Sequence, residues 1–293
     1  MNHLRQTSGS ALVSVLLLIA LAALVATAAL AAVSLRASSA DARMGDLALT
    51  QLSRTVLDES MSALAAMTDM PETDTLLLDD TPLPDSRRCC SVTARKGARL
   101  TLTARVTRGD AARTARQVVI ALRSPDALSL DAGSTTLLWG EGTRTLSDDA
   151  LARAPCGILC YGEKHADFHI GSGTPARIAG SLRATCAEGC RLTLTVQSAL
   201  TLTGDLHSDG KTRMLRDVTC RRADIGGELD FASEAVLTAD TVILRQQVDA
   251  DTLSHIDASV IYMAGADGTL SDILPLPESD EPETLYFYDA GPL

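Results

Sequence analysis

Aromatic side chains are scarce in this sequence. Only 3% of its 293 residues are Phe, Trp or Tyr, and Trp occurs once. Any core must therefore be built mainly from Leu, Val, Ile and Ala, which favours short β-strands around a thin, repetitive core. The length fits one large domain or two ordinary ones.

A basic surface is also missing. The formal net charge is −11, and residues 224–293 contain 15 acidic residues against a single basic residue, Arg245. A protein that binds DNA or RNA needs a basic face, so the composition excludes nucleic acid as a partner. We interpret the acidity as a means of keeping an exposed domain soluble.

Familiar catalytic motifs are absent from the sequence. It contains no GxSxG nucleophile elbow, no HExxH zinc motif and no phosphate-binding glycine loop. The GSG at residues 171–173 is interpreted as a turn, and no calcium-binding repeat is present. We therefore expect no enzymatic activity and no cofactor.

One long uncharged segment lies near the N-terminus. No charged residue occurs between Arg5 and Arg36, and residues 11–35 contain neither Pro nor Gly. About 20 apolar residues suffice for a helix to cross a membrane. The few hydroxyl side chains can bond to carbonyls of their own helix, at little cost in lipid. Residues 11–35 are therefore predicted to form a transmembrane helix, which includes Ala11, Leu12, Ser14 and Leu35.

Three interpretations of this segment compete: a cleaved signal peptide, a plain signal anchor and a prepilin-type leader. A signal peptide usually has only 7–15 apolar residues. The polar stretch MNHLRQTSG ends in Gly9 directly before the apolar helix. In this change from a short polar leader to an apolar helix, the sequence resembles the PilX-like minor pilins and pseudopilins of the type IV pilus and type II secretion superfamily. The resemblance implies that a prepilin peptidase cuts after Gly9, leaving Ser10 as the mature N-terminus.

Two positions depart from the usual pilin pattern. Ser10 occupies the position after the cut, where pilins normally have an aromatic residue or Met. Ser14 occupies mature position five, where they normally have glutamate. In major pilins that glutamate sets the register between subunits, so the resemblance implies a minor, tip or priming subunit. Such a subunit would sit in the bacterial cytoplasmic membrane by a single pass, with its C-terminal domain outside, and would assemble with other pilin or pseudopilin subunits. The alternative is a membrane-anchored β-helical adhesin, or a carbohydrate-binding or carbohydrate-active protein, unrelated to pili.

The helix is predicted to continue beyond the membrane. An apolar stripe with a spacing of three to four residues indicates an amphipathic helix over residues 36–68; it consists of Leu49, Leu52, Val56, Leu64 and Met67, flanked by Leu57 and Met61. Pro71 and an acidic loop at 69–85 should end this helix. The alternative is a break at Gly45, which would separate a linker helix from an ordinary domain.

The rest of the chain is predicted to be rich in β-structure, which gives an α+β fold. Alternating apolar residues predict a small β-meander within residues 69–125, with one face buried and one exposed to solvent; they are Leu100, Leu102, Ala104, Val106, Val118, Ile120 and Leu122. Short apolar runs separated by Gly, Asp and Ser predict a β-solenoid at 126–274, with an irregular β-sandwich as the alternative. Residues 275–293 form an acidic, Pro-rich tail, which Tyr286, Phe287 and Tyr288 are expected to fold back.

Seven cysteines suggest covalent cross-links. They are Cys89, Cys90, Cys156, Cys160, Cys186, Cys190 and Cys220, and two pairs share CxxxC spacing. In an exported domain the first interpretation is disulfides, with at least one thiol left over. The second is a zinc site formed by Cys156, Cys160, His165 and His169, because thiolate and imidazole are zinc ligands.

Overall fold

The computed structural model of this protein describes residues 3–71, 75–83, 86–94, 98–125, 130, 134–154, 156–267, 271–277 and 283–292. The side chains of residues 3–15, 18, 19, 22, 41, 75–83, 86–89, 91–94, 124 and 125 lie outside this description.

The chain begins with one long helix and continues mainly as β-structure. Helix α1 (His3–Ala65) is followed by β1 (Thr75–Leu83), β2 (Ser86–Ala94), β3 (Arg99–Arg108) and β4 (Ala111–Pro125). Next come β5 (Thr136–Leu146), α2 (Asp148–Ala152), β6 (Gly157–Ile170), β7 (Ala176–Ile178), β8 (Ser181–Cys186), β9 (Arg191–Val196) and β10 (Leu200–Leu202). They are followed by β11 (Leu206–Ser208), β12 (Lys211–Met214), β13 (Val218–Ile225), β14 (Leu229–Phe231) and β15 (Leu237–Leu244). The last elements are α3 (Ala250–Ser254), β16 (Ile256–Met263), β17 (Ile273–Pro275) and β18 (Glu283–Pro292).

Helix α1 is continuous over its 63 residues, a length of about 95 Å at 1.5 Å per residue. It passes through Gly45 without interruption, so the predicted continuation is confirmed and the alternative break is not present. The hydroxyl groups of Thr27 and Ser34 donate to the carbonyl oxygens of Leu24 and Ala31, each at 2.9 Å. These bonds satisfy the hydroxyls within the helix itself.

The second half of α1 packs on the antiparallel sheet. Leu49, Val56, Leu57 and Leu64 are buried, as the apolar spacing predicted. They contact Leu100, Leu102, Ala104 and Val106 of β3, all fully buried. Two small polar residues, Ser53 and Ser60, also lie in this contact, and their hydroxyls donate to backbone carbonyls of the preceding turn. Small side chains let the helix approach the sheet closely.

The antiparallel sheet has the strand order β1-β2-β3-β4-β18. A turn at residues 108–110 joins β3 to β4, with Gly109 at φ 55°. The prediction of a loop over 69–85 was wrong for most of its length, because residues 75–83 form β1 and pair with β2. Pro82 is tolerated there since β1 is an edge strand, where a missing N–H costs no interior hydrogen bond.

Residues 118–122 of strand β4 are buried on both faces, which the sequence prediction of one exposed face missed. Val119 and Ala121 face α1 and belong to the same core as Leu64. Val118 and Ile120 point the other way, into a second cluster with Leu159 and Tyr161 of β6. The prediction of one solvent-exposed face was therefore wrong at Val118, Ile120 and Leu122. The parallel sheet covers their face instead.

The acidic tail ends in a strand of the antiparallel sheet. Residues 283–292 form β18, which pairs antiparallel with β4. Phe287 points toward α1, and Tyr288 points into the cluster with Leu159. The Tyr288 hydroxyl accepts a hydrogen bond from the backbone N–H of Leu130 at 3.4 Å. The expectation that the aromatic residues fold the tail back is confirmed for these residues.

The remaining strands form a 13-stranded parallel sheet, which curls into a half-barrel. Its strands pair with strands from the next winding of the chain, so that Ile158 lies beside Leu182, and Leu182 beside Leu206. The ladder continues through Ala223 to Val242, and these five side chains stack in one buried aliphatic core. The parallel pairing does not fit the alternative of an antiparallel β-sandwich. A regular β-solenoid stays a prediction.

The GSG segment is a turn at the edge of this sheet, as expected. At Gly171 (φ +77°) a Cβ atom would come within 2.0 Å of the Ser198 Oγ, so only glycine fits. Asp148 accepts hydrogen bonds from the hydroxyl and the backbone N–H of Ser172, both at 2.7 Å. These bonds lower the pKa of Asp148 and tie the turn to α2.

The fold makes β18 a structural strand rather than a free tail. Replacing the buried Phe287 by Ala should lower the free energy of unfolding by about 3–5 kcal/mol, because the removed ring leaves a cavity between α1 and the sheet. Thermal unfolding of the detergent-solubilised full-length protein, followed by circular dichroism, measures the loss. Thr284→Ala, at an exposed position of the same strand, is the matched control and should change little. Equal effects of the two substitutions would contradict the packing described.

Candidate functional site

The first half of α1 carries the largest exposed apolar surface in the described chain. Eight large aliphatic side chains between residues 16 and 35 are each more than half exposed: Leu16, Leu17, Leu21, Leu24, Val25, Leu30, Val33 and Leu35. Soluble domains rarely expose contiguous apolar patches of this extent. By length and composition, α1 qualifies as one candidate membrane span near the N-terminus. The surface is therefore suited to lipid or to another apolar helix.

The predicted processing residues lie within the first turns of α1. The backbone at Gly9 and Ser10 is helical, and their side chains, with those of Ala11, Leu12 and Ser14, lie outside the described part of the chain. Leu35, at the far end of the predicted membrane segment, is 69% exposed. Arg36 follows it directly. The charge-free segment thus ends where the helix is still fully exposed.

The two CxxxC pairs differ in geometry. Cys160 points into the fully buried core of the parallel sheet, whereas Cys156 is exposed before β6 begins. Cys186 and Cys190 flank one tight turn, and the Cys190 thiol donates to the backbone oxygen of Glu163 at 3.0 Å. Among these four residues and Cys220 the structure contains no disulfide. The disulfide hypothesis therefore gains no support at either CxxxC pair.

Burial governs the chemistry of the inward-facing thiols. It raises the pKa of Cys186 to about 11 and that of Cys220 to about 12, and it raises the pKa of Cys160 still further. These thiols are therefore protonated and poorly reactive at neutral pH. Cys90 is buried between α1 and the antiparallel sheet, and the side chain of its neighbour Cys89 lies outside the description.

The candidate zinc ligands do not come together. Along β6, Cys160 faces the core together with Ile158 and Phe168, whereas His165 and His169 are not part of this core. His169 contacts Gln197 at 3.2 Å and Asp167 at 3.2 Å instead. No group of three or more metal-ligating side chains occurs among the described residues. The zinc alternative is therefore wrong for the set that includes Cys156 and Cys160.

A row of buried ionisable side chains crosses the parallel sheet, and sequence reasoning missed it. Arg183 of β8 lies beside His207 of β11, which lies beside Asp224 of β13. The His207 Nε2 is 2.8 Å from an Asp209 carboxylate oxygen. Burial opposes ionisation of Asp209, but hydrogen bonds from His207 and Thr185 prevail and lower its pKa. No spacing rule could have found this row, because the three residues meet only through the register of the sheet.

Asp224 is the most constrained member of that row. Its side chain is fully buried, and Arg245 binds it in a bidentate manner, with Nε and Nη2 at 2.7 and 2.8 Å from its two oxygens. Arg222 lies 3.7 Å away. A carboxylate that is removed from water needs such partners. Arg245, the one basic residue of the acidic C-terminal region, therefore has a structural task.

A charged cleft lies where the two sheets meet. It has a volume of about 960 Å³ and lies between Arg99 of β3, Trp139 of β5 and Glu163 of β6. The Arg99 guanidinium lies 4.8 Å from the centre of the Trp139 ring and donates to Glu163 at 3.2 Å. Lys164 and Glu141 pair at 2.8 Å on the rim. This cleft was not predicted from the sequence.

Comparison with known proteins adds no family. No family model, curated protein or solved structure matches this chain. The geometry of the chain itself, above all its exposed helix, is therefore the basis for inferring its function.

The buried carboxylate yields a stability prediction. Arg245→Ala should destabilise the fold by about 3 kcal/mol, because it leaves the Asp224 charge without its bidentate partner. The expected fall in the unfolding temperature is about 6–12 °C, measured by circular dichroism on the full-length protein in detergent. Part of the loss should return when Asp224→Asn is added, since the uncompensated charge is then removed.

The matched control is Arg213→Ala. Arg213 is about half exposed and lies 3.8 Å from Asp230 in a surface pair, so its loss should cost less than about 1 kcal/mol. If the two arginine substitutions have the same effect, the Asp224 pair contributes no more than a surface contact.

Proposed function

We propose that this chain is a minor pilin-like or pseudopilin-like structural subunit, held in the membrane and assembled into a surface filament through its N-terminal helix. The observation that carries the proposal is the division of one continuous helix into two halves. The first half exposes its aliphatic side chains, whereas the second buries Leu49, Val56 and Leu64 against a folded domain. A helix built in this way can attach a domain to a membrane and then pack against like helices.

The physical driving force differs between the two halves. Transfer of exposed Leu and Val side chains from water to lipid or to other apolar surfaces is favourable, because each buried CH₂ group contributes about 0.8 kcal/mol. The residues from Leu49 onward are instead covered by the protein's own sheet. We therefore assign the first half to the membrane and to the filament core, and the second half to the domain that is displayed outside the cytoplasmic membrane.

The displayed part is built as a rigid, non-enzymatic unit in this proposal. Parallel windings from β5 to β17 support the interpretation as a β-solenoid. In a β-solenoid the equivalent sides of successive coils stack on one another. The antiparallel sheet joins these windings to α1 through Ile120, Leu159 and Tyr161. The partners that follow are the membrane, a prepilin peptidase and other pilin or pseudopilin subunits.

The processing step is testable by mass. Full-length protein co-expressed with a prepilin peptidase and extracted from membranes should begin at Ser10, lacking residues 1–9. Gly9→Val should block this cut, because the peptidase requires the small residue before the scissile bond in the proposed motif. Ser8→Val, one position earlier, leaves the Gly9–Ser10 bond intact and should still be cut.

Other masses distinguish the rival interpretations. An intact chain that retains Met1 in the presence of the peptidase indicates a plain membrane anchor. A chain that begins near Ala31 or Ala32, recovered without the membrane, indicates a cleaved signal peptide and would end the filament proposal.

The division of α1 is testable by charge insertion. Leu21→Arg combined with Leu24→Arg should shift the protein from the membrane to the soluble or aggregated fraction, because each Arg near the centre of a membrane helix costs about 2.5–3.5 kcal/mol. The matched control is Met44→Arg with Leu47→Arg, at positions that are equally exposed but lie beyond the proposed membrane segment. Sedimentation of membranes after alkaline extraction measures the distribution. Equal behaviour of the two double variants contradicts the assignment.

A further inference from the structure

The cleft between the two sheets has a balanced set of charges. Three cationic side chains line it, Arg99, Arg144 and Lys164, together with three carboxylates, Glu141, Glu163 and Glu188. Two of these cations are paired within the cleft, Arg99 with Glu163 and Lys164 with Glu141. A cleft with no excess of either sign gives no electrostatic preference for a strongly charged ligand. Its hydrogen-bond donors and acceptors lie close together, and they instead suit uncharged ligand groups that both donate and accept hydrogen bonds.

An aromatic platform stands among these polar groups. Trp139 is the single tryptophan of the chain and lines the cleft. Its ring is half-buried and packs in part against the cluster that contains Leu159 and Tyr161. The Arg99 guanidinium lies over the ring, 4.8 Å from its centre, a cation–π contact that restrains both side chains. An indole ring offers an apolar surface together with an N–H donor. Hydroxyl-rich ligands with one apolar face, which is the chemistry of a pyranose ring, suit this combination.

The backbone around the cleft is shaped to admit these side chains. The pairing of β5 with β6 shifts register between Gly140 and Gly142, and such bulges redirect side chains next to binding sites. Gly140 has φ +125°, and a Cβ atom there would lie 3.1 Å from a guanidinium nitrogen of Arg144. Glycine at this position therefore leaves room for Arg144 in the cleft.

Arg99 is placed at some cost to the fold. Its side chain is 15% exposed, and its Nε atom is buried without a hydrogen-bond partner among the described residues. A buried donor without a partner destabilises the fold, so the position of Arg99 is not explained by stability alone. The Glu163 carboxylate and the Trp139 ring hold the guanidinium in one orientation. Fixed polar groups of this kind reduce the entropy lost when a ligand binds.

We propose that this cleft binds a neutral oligosaccharide, with the part of the Trp139 ring that lines the cleft as the apolar contact and with Arg99, Glu163 and Glu188 as hydrogen-bonding groups for its hydroxyls. The volume of about 960 Å³ lies within the range of small-molecule sites. Binding requires no chemical step and no metal. The proposal is independent of filament assembly, since the cleft lies on the folded domain and not on the exposed half of α1.

The single tryptophan makes the test specific to the site. Full-length protein is solubilised in a polyoxyethylene detergent, because sugar-headed detergents would compete for the cleft. Its tryptophan emission is then titrated with maltotetraose, cellotetraose and tetraacetylchitotetraose. At least one of these should change the emission in a saturable manner at concentrations below about 10 mM. Tetraglutamate and tetralysine, probes of opposite charge, should not.

Variants assign the effect to the cleft. By calorimetry, Trp139→Ala and Glu188→Gln should each weaken binding of the same tetrasaccharide, the first by about tenfold or more. Glu188 is exposed on a turn, so its variant keeps the test valid even if removal of the indole disturbs the fold. Glu228→Gln, in an exposed ion pair with Lys211, is the matched control and should bind as the unaltered protein does.

Three results would overturn the proposal. They are the absence of binding by all three tetrasaccharides, tighter binding of either charged peptide, and unchanged affinity in both cleft variants. None of these results bears on the filament proposal, which the N-terminal mass and membrane sedimentation test separately.

Discussion

The contact between the second half of α1 and β3 is the constraint on which the rest of the molecule depends. Val56 and Leu64 are fully buried there against Leu100 and Leu102. Because the helix is rigid and continuous, this contact fixes where its exposed first half projects from the domain. It also leaves the opposite face of the sheet to be covered by something else. The curled parallel sheet provides that cover, and so the arrangement of the two sheets follows from where the helix packs.

Strand β4 carries this arrangement through the middle of the molecule. Alternate side chains face α1 on one side and β6 on the other, so a single strand contributes to two hydrophobic clusters. A strand buried on both faces is expected between two layers rather than at the surface. The cleft that contains Arg99 and Trp139 opens at the edge of the same junction. The two proposed activities, attachment and ligand binding, therefore use different parts of the chain, the exposed half of α1 and the cleft.

Much of this architecture was predictable from local patterns. The apolar period of Leu49, Val56 and Leu64 identified the packed face of the helix, and the alternation from Leu100 to Val106 identified the inner face of β3. Such patterns work because successive side chains of a helix or strand point toward the core or toward water at a fixed period. The prediction failed where both faces of a strand are buried, as at Val118 and Val119. Apolar residues then occur at every position, so the pattern does not show which face packs on the helix and which on the second sheet.

The candidate sites were less predictable than the fold. Exposed apolar surface on α1 follows directly from a charge-free sequence. The row from Arg183 to Asp224 and the cleft around Trp139 do not, because their members are distant in sequence and meet only through strand register. The zinc hypothesis failed for the same reason. Nearness of Cys160 and His165 along the chain says nothing about which side of β6 each one faces.

The pairing of β18 with β4 makes the parallel windings an insertion within the antiparallel sheet. Residues 136–275 begin after one of these partner strands and end before the other. During synthesis one edge of β4 stays unpaired until the ribosome has made all of the parallel windings and then β18. Contacts between residues so far apart in sequence form slowly. The open edge of β4 is consequently a place where a folding helper, or a strand from a neighbouring chain, could bind before the native partner arrives.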